Sequence, residues 1–318
     1  MLGDEPTGVK NRGPRSLKDG GIGEQSIGTL LKRPHETKSM KIMAITPYKG
    51  FGENLFGYLY YPADNKGNIK EGKLPIVIYL HEYDYSKGFS TKGYDHEIQS
   101  VFEKLTGMGF GVLSFDMIGF GNRTEEGFHF YDRYPKWSKM GKMVTDVRSA
   151  VDVTSDLDLV DSSKIFVAGY ALGGTVALLS AAMDDRVAGV VSIAGFTPMR
   201  TNTLDRGTEG IKAYSHLHGT IPKLGFFVGY ENRIPIDFDE IIANIAPRPV
   251  LLVAPRLDRD AHTEDINNCV EYVEKIYDLY SSKDNIRLFT PNDYNRFSTV
   301  SREHIYEWFK STLSNGTK

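Results

Sequence analysis

Apolar positions along this chain follow two alternating rhythms. Pro75–Leu80, Phe110–Phe115, Ile165–Ala168, Val187–Ala194, Pro249–Ala254 and Ile286–Phe289 are short runs, apolar at most positions. Successive side chains of a strand point to opposite sides, so such runs suit strands covered on both faces. Between them lie stretches of helical period. In Trp137–Asp156 the residues Trp137, Met140, Val144, Val147 and Val151 recur at three and four positions and form one buried stripe. Thr175–Met183 and Ala261–Tyr280 also read as helices. The alternation predicts an α/β fold with a doubly wound, mainly parallel sheet. Ahead of it, Lys41–Ile45 and Leu55–Tyr61 flank a loop with Pro47, Gly50 and Gly52, the pattern of an antiparallel pair at a sheet edge.

Two segments break the rhythm. Residues 1–40 are rich in Gly, Pro and charge and are expected to form an N-terminal arm on the domain of residues 41–318. Residues 196–246 form an insertion carrying Tyr, His, Pro and Gly. It follows the carboxyl end of a strand, where open α/β sheets bind ligands, and is expected to act as a lid or pocket wall.

Composition narrows the function. With 38 Lys and Arg against 41 Asp and Glu, the net charge of -3 gives no reason to expect nucleic acid or an acidic membrane as partner. No apolar run is long enough to span a bilayer. The single cysteine, Cys269, excludes an internal disulfide and reads as core filler in a helix. The N-terminal segment lacks the apolar centre of a signal peptide. The compartment stays open: cytoplasmic, or secreted or periplasmic if a leader was removed upstream.

The sharpest local motif is IFVAGYALGG, Ile165–Gly174, followed by the apolar stretch TVALLSAAM. Gly169-Tyr170-Ala171-Leu172-Gly173 has the form G-x-S-x-G with alanine in place of serine. In a nucleophile elbow the central residue sits on a sharp strand-to-helix turn, and small neighbours let strand and helix approach. The helix behind it points its positive end at the turn, which favours an oxyanion there. A dinucleotide site fits less well, since the G-x-G-x-x-G spacing is absent.

With His81-Glu82-Tyr83 after an earlier strand and Asp258 after a later one, the elbow resembles the α/β-hydrolase superfamily. More narrowly, it resembles the dienelactone-hydrolase-like and acetyl-xylan-esterase-like carbohydrate esterases, over about residues 55–313. The resemblance implies ester hydrolysis through an acyl-enzyme, with Ala171 in the nucleophile position and no cofactor. It implies an oxyanion hole made by the backbone N–H groups of Tyr83 and Leu172. Glu82 departs from the usual glycine of that segment. His81 is expected either at the substrate or buttressing its loop.

The acid is expected at Asp258 in PRLDRDA, with Asp260 as the alternative. The histidine is expected after the last strand, IRLF, but the loop TPNDYNRFS has none, and Asn295 aligns there. An amide has no usable proton equilibrium and cannot serve as the base. His218 or His216, in the insertion, could fold over the elbow instead, with His218 favoured; His304 of the last helix is a further candidate. His216 and His218 could also pair on a metal, although no Cys or carboxylate cluster supports one. Asp116, Arg123 and Tyr170 are placed at the ligand edge, with bracing of its own loop as the other reading of Asp116. Tyr83, Tyr85, Tyr131, Tyr134, Trp137 and Tyr214 could offer flat faces to a sugar or serve as core.

These residues frame the expected function. The first reading is a serine-type carboxylesterase scaffold for an acylated carbohydrate or other small ester, with alanine replacing the nucleophile. The alternative is a naturally non-catalytic binding protein on the same fold. A metal-assisted hydrolase, resting on His216 and His218 alone, is the third.

Overall fold

The computed structural model describes residues 1–6, 36–50, 53–64, 66, 72–84, 88–89 and 96–315. Most of the expected arm, residues 7–35, lies outside the described residues, as does Tyr85. The first residues lie on the domain. Gly3 bridges to Trp137, and the Ser138 N–H donates to the Leu2 carbonyl at 2.9 Å.

Eight strands form one open sheet: β1 (Met40–Gly50), β2 (Glu53–Pro62), β3 (Leu74–Leu80), β4 (Gly111–Phe115), β5 (Val160–Tyr170), β6 (Val187–Ile193), β7 (Val250–Val253) and β8 (Ile286–Phe289). Their order is β1-β2-β4-β3-β5-β6-β7-β8. β1 and β2 pair antiparallel, as do β2 and β4; every other neighbour is parallel. The apolar runs are therefore strands, and the early pair is the expected sheet edge.

The two-residue period of the strands feeds two cores. Ile76, Ile78, Leu80, Val167, Val190 and Leu252 face one side. There they meet α2 (Lys139–Ser155), α3 (Leu172–Met183), α4 (Phe238–Ala243) and α5 (Thr263–Leu279). Val77, Tyr79, Phe166, Val191 and Leu251 face the other, under α1 (His96–Gly107) and α6 (Thr299–Asn315). Burial on both faces explains why the strand runs are apolar throughout rather than alternating. The stripe foreseen in α2 is buried at Met140, Val144, Val147 and Val151.

Between β6 and β7 the expected insertion holds short 3-10 turns, one π-helical turn (Ala213–Leu217) and α4. Ile211, Ile221, Leu224 and Ile234 bury it in the core. Asp237 caps α4 and accepts the N–H groups of Met199 and Arg200 at 2.8 and 2.7 Å. The insertion is thus packed onto the body of the domain.

The chain leaves β3 for β4 on one side and places β5 on the other. Connections diverge at the carboxyl ends of β3 and β5, which opens a crevice there. Leu80 pairs with Gly169 across it, so the segment after β3 lies beside the turn after β5.

Candidate active site

At the end of β5 the backbone turns sharply. Ala171 has φ 49° and ψ -114°, and α3 begins at the next residue. A non-glycine residue in such a region costs about 1–3 kcal/mol and persists only where its surroundings hold it. Here the Ala171 N–H donates to the Ile193 carbonyl at 2.8 Å, and the Thr175 N–H donates to the Ala171 carbonyl at 3.1 Å. The neighbouring glycines follow from close approach. A Cβ on Gly173 would sit 2.2 Å from the Leu80 carbonyl oxygen, and one on Gly169 2.2 Å from the Gly173 carbonyl carbon. The motif is therefore a nucleophile elbow in geometry, with a methyl group at its tip.

The Leu172 N–H opens α3, a 12-residue helix. First-turn N–H groups have no acceptor within their own helix, and the helix dipole makes that end electropositive. The turn also sits against the His81–Tyr83 segment. Tyr83 lines the same cleft as Ala171, and Leu172 follows directly at the start of α3.

A cleft of about 530 Å³ opens at the elbow, lined by Glu82, Tyr83, Tyr170, Ala171, Leu257, Arg259, Asp260, Tyr294 and Asn295. A second hollow, about 380 Å³, lies by Lys164, Arg287 and Trp308 at the opposite ends of the strands. It is remote from the elbow and carries none of this chemistry.

Two loops meet in the first cleft. The loop after β7 carries Asp258, and the loop after β8 carries Asn295. Backbone bonds join them: the Arg256 N–H to the Pro291 carbonyl at 2.9 Å and the Leu257 N–H to the Asp293 carbonyl at 3.0 Å. Phe297 stacks on Tyr170 with ring centroids 5.9 Å apart and ties the second loop to the elbow. Asp258 is buried, and burial pushes its carboxyl up. The Asp260 N–H, 2.9 Å from Asp258 Oδ1, and the adjacent Asn295 amide partly offset this by favouring the charged form. Asn295 Oδ1 is buried with no hydrogen-bond partner. The phenol of Tyr170 is pushed up to about 12 by burial and by the Asp258 charge. The structure thus brings Asp258 and Asn295 together beside the elbow that carries Ala171.

Among the described residues, no histidine lines this cleft. His218 stacks on the Tyr83 ring at 3.9 Å between centroids, and half-burial pushes its imidazole below the ordinary value. His216 is exposed, with Nδ1 2.7 Å from Ser215 Oγ, so the expected pair splits and only His218 touches a cleft residue. His304 stacks on Phe289 at 3.6 Å, beside β8.

Three residues expected at the ligand edge have other work. His81 is buried; its Nδ1 meets the Glu82 carbonyl at 2.7 Å and its Nε2 accepts the Met117 N–H at 3.1 Å. The ring is saturated by backbone and braces two loops. Asp116 accepts the Asn122 N–H at 3.0 Å and holds the turn after β4. Arg123 is buried against Asp146 at 2.7 Å and Glu126 at 2.8 Å, so its charge is consumed inside the fold. Glu82 and Tyr170 do line the cleft. Among the aromatics, Trp137 is buried and packs with Phe130 and Tyr134, while the Tyr131 hydroxyl donates to the Gly219 carbonyl. The cleft also uses Leu257, Arg259 and Tyr294, which the motifs did not single out. Their signal was adjacency, since each is a direct neighbour of Asp258 or Asn295.

The strand order and the elbow are those of the α/β-hydrolase fold. Residues 59–214 match the dienelactone hydrolase family. YtaP of Bacillus subtilis, named as a hydrolase, is 29% identical over 221 residues, 65% of this chain and 68% of its own length. The polyketide transferase grgF of a Penicillium species is 26% identical over 173 residues, 58% of its length. Among solved structures, a glucuronoyl esterase from Solibacter usitatus superposes with a TM-score of 0.65 at 13% identity, covering 89% of this chain and 88% of its own. A family 15 glucuronoyl esterase from Caldicellulosiruptor kristjansonii gives 0.62 at 19% identity, covering 95% and 87%. At such identities these two show the shared fold.

Proposed function

We propose that this chain binds a small acyl compound or acylated carbohydrate in the elbow cleft without hydrolysing it. The observation that carries this is the set Ala171, Asn295 and Asp258. The nucleophile and the base are both replaced, while the acid remains beside the group that stands in the base's place. A hydroxyl at position 171 would be needed for attack, and an imidazole at position 295 to take its proton. Neither a methyl group nor an amide can do either. What remains is a cleft of about 530 Å³ with tyrosine walls, beside the electropositive N-terminus of α3. The fold shared with glucuronoyl esterases supports an esterified or acylated sugar as the ligand class.

A second reading is favoured by one observation, the stacking of His218 on Tyr83. Under it the chain is an esterase silenced at a single position, with His218 as its base. Three proteins separate the two: Ala171→Ser, Asn295→His and the double variant, assayed on short-chain acyl esters. Removing a nucleophile typically lowers turnover by about six orders of magnitude. Turnover that needs both substitutions supports the binding-protein reading. Turnover with Ala171→Ser alone, abolished by His218→Ala, establishes the second. Hydrolysis by the unsubstituted chain, lost on Leu172→Pro, removes both.

A further inference from the structure

We infer that the outer face of the 196–246 insertion docks on an anionic lipid surface, with Leu217 and Phe226 entering the headgroup layer and Lys212, Lys223 and Arg233 meeting its phosphates. This face lies outside the cleft, and its docking does not depend on what the cleft holds. Two features carry it.

The first is apolar exposure on adjoining turns. The insertion has an inward face, built from Ile211, Ile221, Leu224 and Ile234 in the core. Its outward residues are apolar as well: Phe226 is 85% exposed, Leu217 62% and Tyr230 58%. The 3-10 turn Pro222–Phe227 shows how the two faces separate. Side chains three apart in such a turn eclipse one another. Leu224 and Phe227 share the inward side, buried and half-buried, while Lys223 and Phe226 share the side in solvent. The turns bearing Leu217 and Phe226 touch, since a Cβ on Gly225 would lie 3.1 Å from the His216 ring. Tyr230 follows at once, its N–H donating to the Phe227 carbonyl at 2.8 Å. Exposed apolar residues scattered singly are ordinary, but a contiguous set marks an interaction surface.

The second feature is charge. Between residues 211 and 236 the basic side chains are Lys212, Lys223 and Arg233, and the only acid is Glu231. Glu231 is buried and accepts the Gly229 N–H at 2.9 Å, so its carboxylate is spent inside the fold. Lys223 and Arg233 are exposed and Lys212 is half-buried. Among the described residues none of the three pairs with a carboxylate, and Arg233 lies over the Tyr230 ring at 5.1 Å. Asp205 and Glu209 precede this stretch, and the acids after it are occupied: Asp237 caps α4, and Asp239 and Glu240 pair with Arg200. The whole chain's net charge of -3 gives no reason to expect an acidic membrane, yet this face carries the opposite sign. Cations flanking exposed Phe and Leu are the composition that holds a protein at an anionic lipid interface. Among the described residues no helix is long and apolar enough to cross a membrane, so the contact is one of docking at the surface.

The position of the face gives the docking a use. His218 follows Leu217 directly and stacks on Tyr83 of the cleft, with 3.9 Å between centroids. Docking therefore sets the cleft beside the headgroup layer.

Co-sedimentation of the full chain with lipid vesicles tests this, using equal parts of phosphatidylcholine and phosphatidylglycerol against phosphatidylcholine alone. Each Lys or Arg near an anionic surface contributes about fivefold in affinity, and each large apolar side chain that enters the lipid about tenfold. The expected result is binding to the anionic vesicles that weakens with salt and is far weaker on phosphatidylcholine. Phe226→Ser and Leu217→Ser should each lower it about tenfold, and Lys223→Gln and Arg233→Gln about fivefold each. Leu279→Ser, at an 81% exposed position at the far end of α5, should leave it unchanged. Every substituted side chain is exposed, so melting temperatures should stay near that of the parent. Absence of binding to the anionic vesicles overturns the inference. Binding that is insensitive to Phe226→Ser and Lys223→Gln also overturns it, by putting the contact on another face. Sedimentation velocity without lipid completes the test: a concentration-dependent dimer that is lost in Phe226→Ser shows that a second copy of the chain covers this face, and the lipid inference falls.

Discussion

Replacing Gly173 by alanine adds one methyl group at the point where α3 meets the end of β3. Its carbon would lie 2.2 Å from the Leu80 oxygen, 2.6 Å from the Leu80 carbonyl carbon and 2.7 Å from the His81 oxygen. All three obstacles are backbone, so no side chain can rotate away. The helix start and the strand end must separate by about 1 Å to restore ordinary contact. Overpacking a well-filled core costs about 1–3 kcal/mol, and rigid backbone obstacles place this substitution near the upper end, at about 3 kcal/mol. An unfolding entropy of about 2.1 cal/mol/K per residue over 318 residues converts that into a Tm lower by about 4–5 °C. The separation would also carry the Leu172 N–H away from the Tyr83 segment, so affinity for a carbonyl ligand should fall in the same variant. Gly107→Ala is the control. It lies at the end of α1, its added carbon meets nothing within 4 Å, and helix propensity favours alanine by up to about 1 kcal/mol. Differential scanning calorimetry on both variants checks the sign. A Gly173→Ala protein as stable as Gly107→Ala would refute the close approach of α3 to β3 and the elbow geometry with it.

Three further outcomes follow from the same contacts. Ala171→Gly removes a non-glycine residue from φ 49° and should raise stability by about 1 kcal/mol despite the lost methyl; a lower melting temperature would contradict the strained turn. Asp146→Ala leaves Arg123 and Lys142, both buried and both paired to Asp146, without their counter-charge, and should cost about 3–5 kcal/mol in urea unfolding. Asp258 has its carboxyl raised by burial, so the folded state holds that proton more tightly than the unfolded chain. The stabilisation this provides is full below the ordinary aspartate value and is lost as pH rises through the elevated folded value. Asp258→Asn removes the penalty of the buried charge. The variant should therefore gain stability over the parent at neutral pH, with the difference vanishing in acid; a difference that grows on acidification would reverse the sign.

The periodicity of the chain by itself determined the sheet and the elbow. A run such as Ile76–Leu80 is apolar at every residue, as suits a strand covered on both faces, and its alternation with helical stretches made the doubly wound class legible without coordinates. Gly169, Gly173 and the strand and helix around Ala171 are local in sequence, and local backbone geometry decides what they form. Strand order likewise put Asp258 in the loop after β7 and Asn295 in the loop after β8. Side-chain partners were not legible, because they come from residues far away in the chain. His81 is claimed by Met117, Arg123 by Asp146, and the Asn295 loop is held to the elbow by Phe297 on Tyr170. Only the tertiary structure could show which of these polar groups had already spent their hydrogen-bonding capacity inside the fold. It left the Asn295 oxygen buried without a hydrogen-bond partner.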